Sequence, residues 1–260
     1  MIYTTLLSKT FRLLYGDPAE GEPGPGSGLV LVADGVGGLH LCGMALKHVM
    51  GEGEARHRVR LHSWGHGFGH WHRDLTNVAN RDAQARAMAA EVLAWRAERP
   101  CAPAFLVGKS GGSGVVVRAL EELPRDSVEA AVLLAPALSP GYDLTRALEA
   151  VRREMVVFWS PLDVFVLGLG TRVFGTIDRV RSVSAGLVGF RGDRAKLRQV
   201  RWRPAMMRTG YLGGHVGPDS PAFLRKYVVP LLRAETASDV GYPPRVKPGA
   251  GRADNPSARG

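Results

Sequence analysis

The sequence predicts an α/β protein: a mainly parallel central sheet with helices on both faces. Three observations lead there. Short continuous apolar runs, such as Leu29–Ala33 and Ala131–Leu134, suit strands buried on both faces. These runs alternate with helix-length stretches, which implies strand–helix–strand units and right-handed crossovers. A length of 260 residues, 45% hydrophobic and 22% charged, fits one domain with a sizeable core.

The elements follow in order. Residues 16–28, rich in Gly, Pro and acid, read as a loop. Leu29–Ala33 is the first strand and stops at Asp34-Gly35-Val36-Gly37-Gly38. A helix follows over Leu39–Met50, then a strand over Arg58–Trp64 and a loop rich in Gly and His. Asn80 can cap a helix from Arg81 to about Glu98, with Ala85, Met88, Ala89 and Val92 on one face and Pro100 after its end. Ala104–Val107 is a strand that runs into Gly108, and a helix with Val115, Val116, Ala119, Leu120 and Leu123 comes next. Ala131–Leu134 is a strand, Leu144–Arg153 a helix, and Met155–Trp159 a strand ending at Ser160-Pro161-Leu162-Asp163. Residues 168–198 show no clear period. Val200–Met207 reads as the last strand. Ser220 can cap a final helix from Pro221, a favoured first position, to Arg233, kinked at Pro230. From Thr236 the chain is polar with repeated Pro, Gly and Arg. The reading is therefore one domain over 1–235 and a disordered tail over 236–260.

The net charge is +10, mostly from arginine. Between Arg172 and Arg208 ten basic residues are offset only by Asp178 and Asp193. No nucleic-acid module surrounds the stretch and aromatics do not alternate with it, so nucleic acid is not expected as a partner. A weak contact with an anionic surface stays open. Cys42 and Cys101 have no metal-ligand spacing and no disulfide framework. Residues 1–15 lack the apolar core and cleavage site of a signal peptide, and no stretch is apolar enough to span a bilayer. The expected location is the cytoplasm.

The strongest chemical signal is Gly108-Lys109-Ser110-Gly111-Gly112, a G-x-S-x-G sequence between a strand and a helix. A nucleophilic serine there sits on a sharp turn, and side chains two positions either side would collide, which explains Gly108 and Gly112. Rival glycine motifs fail on spacing. Pro103 stands where a P-loop needs glycine, and His40 where a dinucleotide fingerprint needs its third. A serine needs a base held by an acid. Of 8 histidines only His215 follows Ser110, within Gly213-Gly214-His215-Val216-Gly217. Several carboxylates lie between them. Asp163 is favoured because it stands just past the carboxyl end of an apolar strand, whereas Asp143 and Asp178 do not, and Asp178 reads as a surface ion pair with nearby arginines. The amide of Gly111 and that of Gly35 or Val36 are the candidate oxyanion donors. His62, His66, His70 and His72 crowd one loop, but Gly65, Gly67 and Gly69 argue against a helix that would share a metal, so no metal is assigned.

On these residues, in this order, the sequence resembles the α/β-hydrolase family over roughly residues 28–233. The resemblance implies an eight-stranded sheet and hydrolysis of an ester, thioester or amide without a cofactor, on a small-molecule or lipid-like substrate. Two departures stand out. Asp34-Gly35 replaces the usual His-Gly, and Lys109 precedes the serine, where a cation could favour an anionic substrate or point into a neighbouring loop. Two other readings remain open: a non-catalytic binding protein of hydrolase-like fold, and a binder of anionic lipid or nucleic-acid surfaces through residues 172–208.

Overall fold

The computed structural model describes residues 27–51 and 57–233. Six strands form one sheet: β1 (Leu29–Ala33), β2 (Arg58–Leu61), β3 (Ala104–Lys109), β4 (Val128–Leu134), β5 (Val151–Trp159) and β6 (Leu197–Arg201). Their order is β2-β1-β3-β4-β5-β6, and every neighbouring pair is parallel. The resemblance implied eight strands, and six lie among the described residues. The helices are α1 (Leu41–Gly51), α2 (Trp71–Thr76), α3 (Val78–Glu98), α4 (Gly112–Glu122) and α5 (Thr145–Glu149), with shorter helical turns later. The expected loop at 16–28 falls almost wholly outside the described residues, as do residues 1–15 and the expected tail from 236.

Alternate residues of a strand face opposite ways, and the core divides accordingly. Leu29, Leu31, Leu106, Ala131, Leu133 and Val157 pack with α3, α4 and α5. Val30, Val32, Phe105, Val107, Val132 and Phe158 pack with α1 and with Phe223, Leu224 and Leu232 on the other side. Helices thus cover both faces, as a parallel sheet requires. β1, β3 and β4 are buried at every position, which is why they read as unbroken apolar runs.

Several boundaries differ from expectation. The Asn77 side chain, not that of Asn80, caps α3: its Oδ1 accepts from the Asn80 amide at 3.0 Å, and the helix starts at Val78. The helix expected over Leu144–Arg153 stops at Glu149, because Val151 already pairs with Val128 at the start of β5. The last strand ends at Arg201, before Pro204 opens a 3-10 turn over Pro204–Thr209. The final helix is a series of short, differently wound turns from Pro221 to Leu232. Within residues 168–198, which lacked a period, the structure has helical turns up to Phe174, continuing from Val164, and over Ala185–Val188. Among the described residues no helix is long and apolar enough to cross a membrane.

All six strands point the same way, so the segments after β1, β3, β5 and β6 gather at one edge. The chain steps outward from β1 to β2, then back across to β3 and on to β6. The reversal between β1 and β3 opens a crevice at the carboxyl ends of those strands, where open α/β sheets hold ligands.

Candidate active site

Ser110 lies in that crevice. Its φ is +52°, a left-handed conformation costly for a residue with a side chain, about 1–3 kcal/mol. The turn is held from several sides. The Ser110 amide donates to the Leu134 carbonyl at 2.9 Å, and its carbonyl accepts from the amides of Ser113 and Ala137, each at 3.1 Å. The Ser113 hydroxyl donates to the Gly108 carbonyl at 3.0 Å. The flanking glycines are sterically required: a Cβ on Gly108 would stand 2.7 Å from Ser113 Cα, and one on Gly112 only 2.1 Å from the Ala33 carbonyl oxygen.

His215 arrives on the loop after β6. Tyr211 anchors that loop: it is buried, its carbonyl accepts from the Trp202 indole at 2.9 Å, and its ring packs edge-on against Phe223. Gly217 lies flat on the Tyr211 ring, where a Cβ would come within 2.2 Å. His215 Nε2 is 2.9 Å from Ser110 Oγ, and His215 Nδ1 is 2.6 Å from Asp163 Oδ2. Asp163 is 3% exposed at its side chain and follows the turn after β5, where the Leu162 amide donates to Ser160 Oγ. The structure thus brings together the serine, histidine and acid that the sequence singled out. The other two carboxylates lie elsewhere. Asp143 accepts from the Thr145 amide and hydroxyl at the start of α5. Asp178, expected in a surface ion pair, instead accepts from the Ser139 amide at 2.9 Å and its hydroxyl at 2.5 Å, because Ser139 offers two donors in a half-buried site.

The turn after β1 closes the crevice opposite His215. A Cβ on Gly35 would lie 3.3 Å from Ser110 Cβ and 3.8 Å from its Oγ, and one on Gly111 would lie 2.7 Å from a Val36 methyl. Gly35, Val36 and Gly111 therefore border the serine together. Asp34, which stands in place of the usual histidine, turns away: its carboxylate accepts from the Cys42 and Gly43 amides at 3.1 and 2.8 Å and so caps α1. Burial raises the pKa of Asp34 despite the Gly43 amide.

Lys109 also turns inward. Its Nζ lies 2.8 and 3.0 Å from the two Asp219 carboxylate oxygens, with only 5% of the lysine side chain exposed. Burial pulls the lysine pKa down, but Asp219, Cys42 and Asp34 more than offset this and the ammonium is held above its ordinary value. Of the two roles the sequence left open for Lys109, the contact with a neighbouring loop is the one observed. The pair ties the residue before Ser110 to the loop that carries His215.

The His-rich loop contains a helix the glycine pattern hid, α2, and its organiser is Asp74, buried and missed in the sequence. Asp74 accepts from the Gly37 amide at 2.8 Å, the His66 amide at 2.7 Å and His66 Nδ1 at 2.9 Å. The Trp64 indole donates to the Asp34 carbonyl at 2.8 Å. These bonds fasten the Asp34–Gly38 turn from behind. Among the described residues no group of three or more His, Cys, Asp or Glu side chains converges as metal ligands.

No protein-family model matches the chain, and no curated protein matches it. Solved structures similar to it include a Trichoderma reesei cutinase (18% identity, 90% of each chain covered, TM-score 0.42). A Bacillus subtilis carboxylesterase shares 10% identity over 90% of this chain and 99% of that one, with a TM-score of 0.49. A poly(3-hydroxybutyrate) depolymerase from Bordetella parapertussis shares 16% over 82% and 86%, with a TM-score of 0.45. With such identities and scores these proteins say nothing of this chain's chemistry. Its own parallel sheet, strand order and strained strand–serine–helix turn give it an α/β-hydrolase fold.

Proposed function

We propose that the chain is a serine hydrolase that cleaves a carboxylic ester or thioester through an acyl-enzyme. The observation that carries this is the unbroken line Ser110 Oγ, His215 Nε2, His215 Nδ1, Asp163 Oδ2, with separations of 2.9 and 2.6 Å at its two hydrogen bonds. A serine hydroxyl is a weak nucleophile until a base accepts its proton. Here His215 Nε2 takes the proton as Ser110 Oγ forms a bond to the substrate carbonyl carbon. Asp163 fixes the ring so that Nε2 faces the serine, and its negative charge stabilises the imidazolium.

Negative charge then develops on the former carbonyl oxygen. The amide of Gly111, at the start of α4, and that of Gly35 or Val36 are assigned to it. As the carbon–oxygen or carbon–sulfur bond breaks, the leaving group takes the proton from His215. Water repeats the sequence on the acyl-enzyme, giving the acid and the free serine.

The test is turnover of a panel of activated esters by the parent and by Ser110→Ala. The variant should fold and lose about 10⁴-fold or more in kcat. An Ser110→Ala protein as active as the parent would remove the proposal.

A further inference from the structure

The exposed large apolar side chains of the described residues are not scattered. Most lie on the segments that frame Ser110. Phe165 is 83% exposed, Val216 69%, Leu212 66% and Leu169 60%. They lie on segments that meet around His215 and Asp163. Trp71 stands beside Gly37 of the β1 turn and meets the Phe174 ring edge-on at 5.1 Å. Phe174 ends the helical stretch that begins at Val164, directly after Asp163. Leu162 packs on Gly213, where a Cβ would be 2.7 Å away, and the band continues through Leu212 and Val216 on either side of His215. Bands of this kind mark an interaction site rather than ordinary surface.

Charge on the same segments is sorted by sign. Every carboxylate there faces inward: Asp34 to α1, Asp74 to Gly37 and His66, Asp163 to His215, Asp178 to Ser139 and Asp219 to Lys109. The arginines face out. Arg73, Arg172, Arg179 and Arg181 are exposed and form no ion pair among the described residues. Arg73 follows Trp71, Arg172 lies in the turn that ends at Phe174, and Arg179 donates to the Phe174 carbonyl at 3.1 Å. Apolar side chains flanked by cations at the Trp71–Phe174 end, with no outward carboxylate, complement one kind of partner: an amphiphile layer with anionic headgroups.

We infer that the mouth of the site is a docking face for an anionic lipid surface, on which the apolar band inserts and the arginines contact headgroups. The inference deepens the proposed hydrolase by naming where it would meet its ester; the docking itself needs no catalysis. A nucleic acid would use the arginines but has no use for Phe165 and Leu169 standing in water.

The test is co-sedimentation of the full chain with phosphatidylcholine vesicles and with equal mixtures of phosphatidylcholine and phosphatidylglycerol. The mixed vesicles should bind the protein, and added salt should release it. Arg73→Gln/Arg172→Gln/Arg181→Gln should weaken binding about 100-fold, roughly fivefold for each arginine. Phe165→Ser should weaken it roughly tenfold. The arginine variant should hydrolyse a water-soluble ester at the parent's rate. Equal binding of parent and variants, binding to neither vesicle, or binding to an oligonucleotide but not to vesicles would each overturn the inference. Docking as expected without ester turnover by the parent would instead count against the proposed hydrolase and leave the docking face standing.

Discussion

The two walls of the Ser110 crevice are built on opposite principles. The wall made by the β1 turn and residues 62–77 is fastened by directional bonds: Asp74 to the Gly37 amide, the Trp64 indole to the Asp34 carbonyl, Asp34 to the amides of α1. The wall from Val164 to Phe174 is held mainly by bonds within its own helical turns, such as that from Thr171 Oγ1 to the Leu167 carbonyl, and leaves Val164, Phe165, Leu169 and Val173 at least half exposed. A wall that must hold backbone amides toward a developing charge needs fixed geometry. A wall that meets an apolar partner needs surface that is not yet buried. On the proposed function the first wall would align the amides and the second would meet the partner.

The largest effect should come from the bond that ties the fastened parts together. Lys109→Met leaves the Asp219 carboxylate, 13% exposed, without its cation, which should cost about 3–5 kcal/mol in urea denaturation. Lys109→Met/Asp219→Leu should recover most of that stability. A single variant as stable as the parent would mean the pair bears no load between elbow and histidine loop.

Asp74→Asn comes next. It removes the charge that accepts from Gly37 and His66 but keeps the side chain's size, so it should lower kcat by roughly 10–100-fold with KM nearly unchanged. A change confined to KM would place Asp74 with substrate binding instead of with the proposed oxyanion turn. The smallest effect belongs to the other wall: Phe165→Ser should move the unfolding free energy by no more than about 0.5 kcal/mol. A larger loss would show that this wall also carries the fold.

Much of the site was legible because its signals are local or ordered. Five consecutive residues, Gly108 to Gly112, encode the elbow, since steric exclusion acts at fixed offsets from the serine. His215 followed from chain order alone, and Asp163 from standing at a strand's carboxyl end. What stayed hidden depends on distance in the chain. Asp74 meets Gly37 across 37 positions, and Lys109 meets Asp219 across 110. Nothing in the sequence near Lys109 says which way its side chain turns. The exposed band was hidden for another reason. Val164-Phe165-Val166-Leu167 has the composition of a core segment, and only the fold shows that Leu167 is buried while Val164, Phe165 and Val166 are exposed. Helix α2 was missed because glycines at 65, 67 and 69 end just before it starts at Trp71.

The central claim is that Ser110 is activated by His215 and Asp163. The direct measurement is reaction of the folded protein with a fluorophosphonate, with the adduct located by mass spectrometry. The account predicts one adduct, on Ser110, absent in His215→Ala and strongly slowed in Asp163→Asn. A folded parent that takes up no phosphonate, or labels as fast without His215, would contradict it.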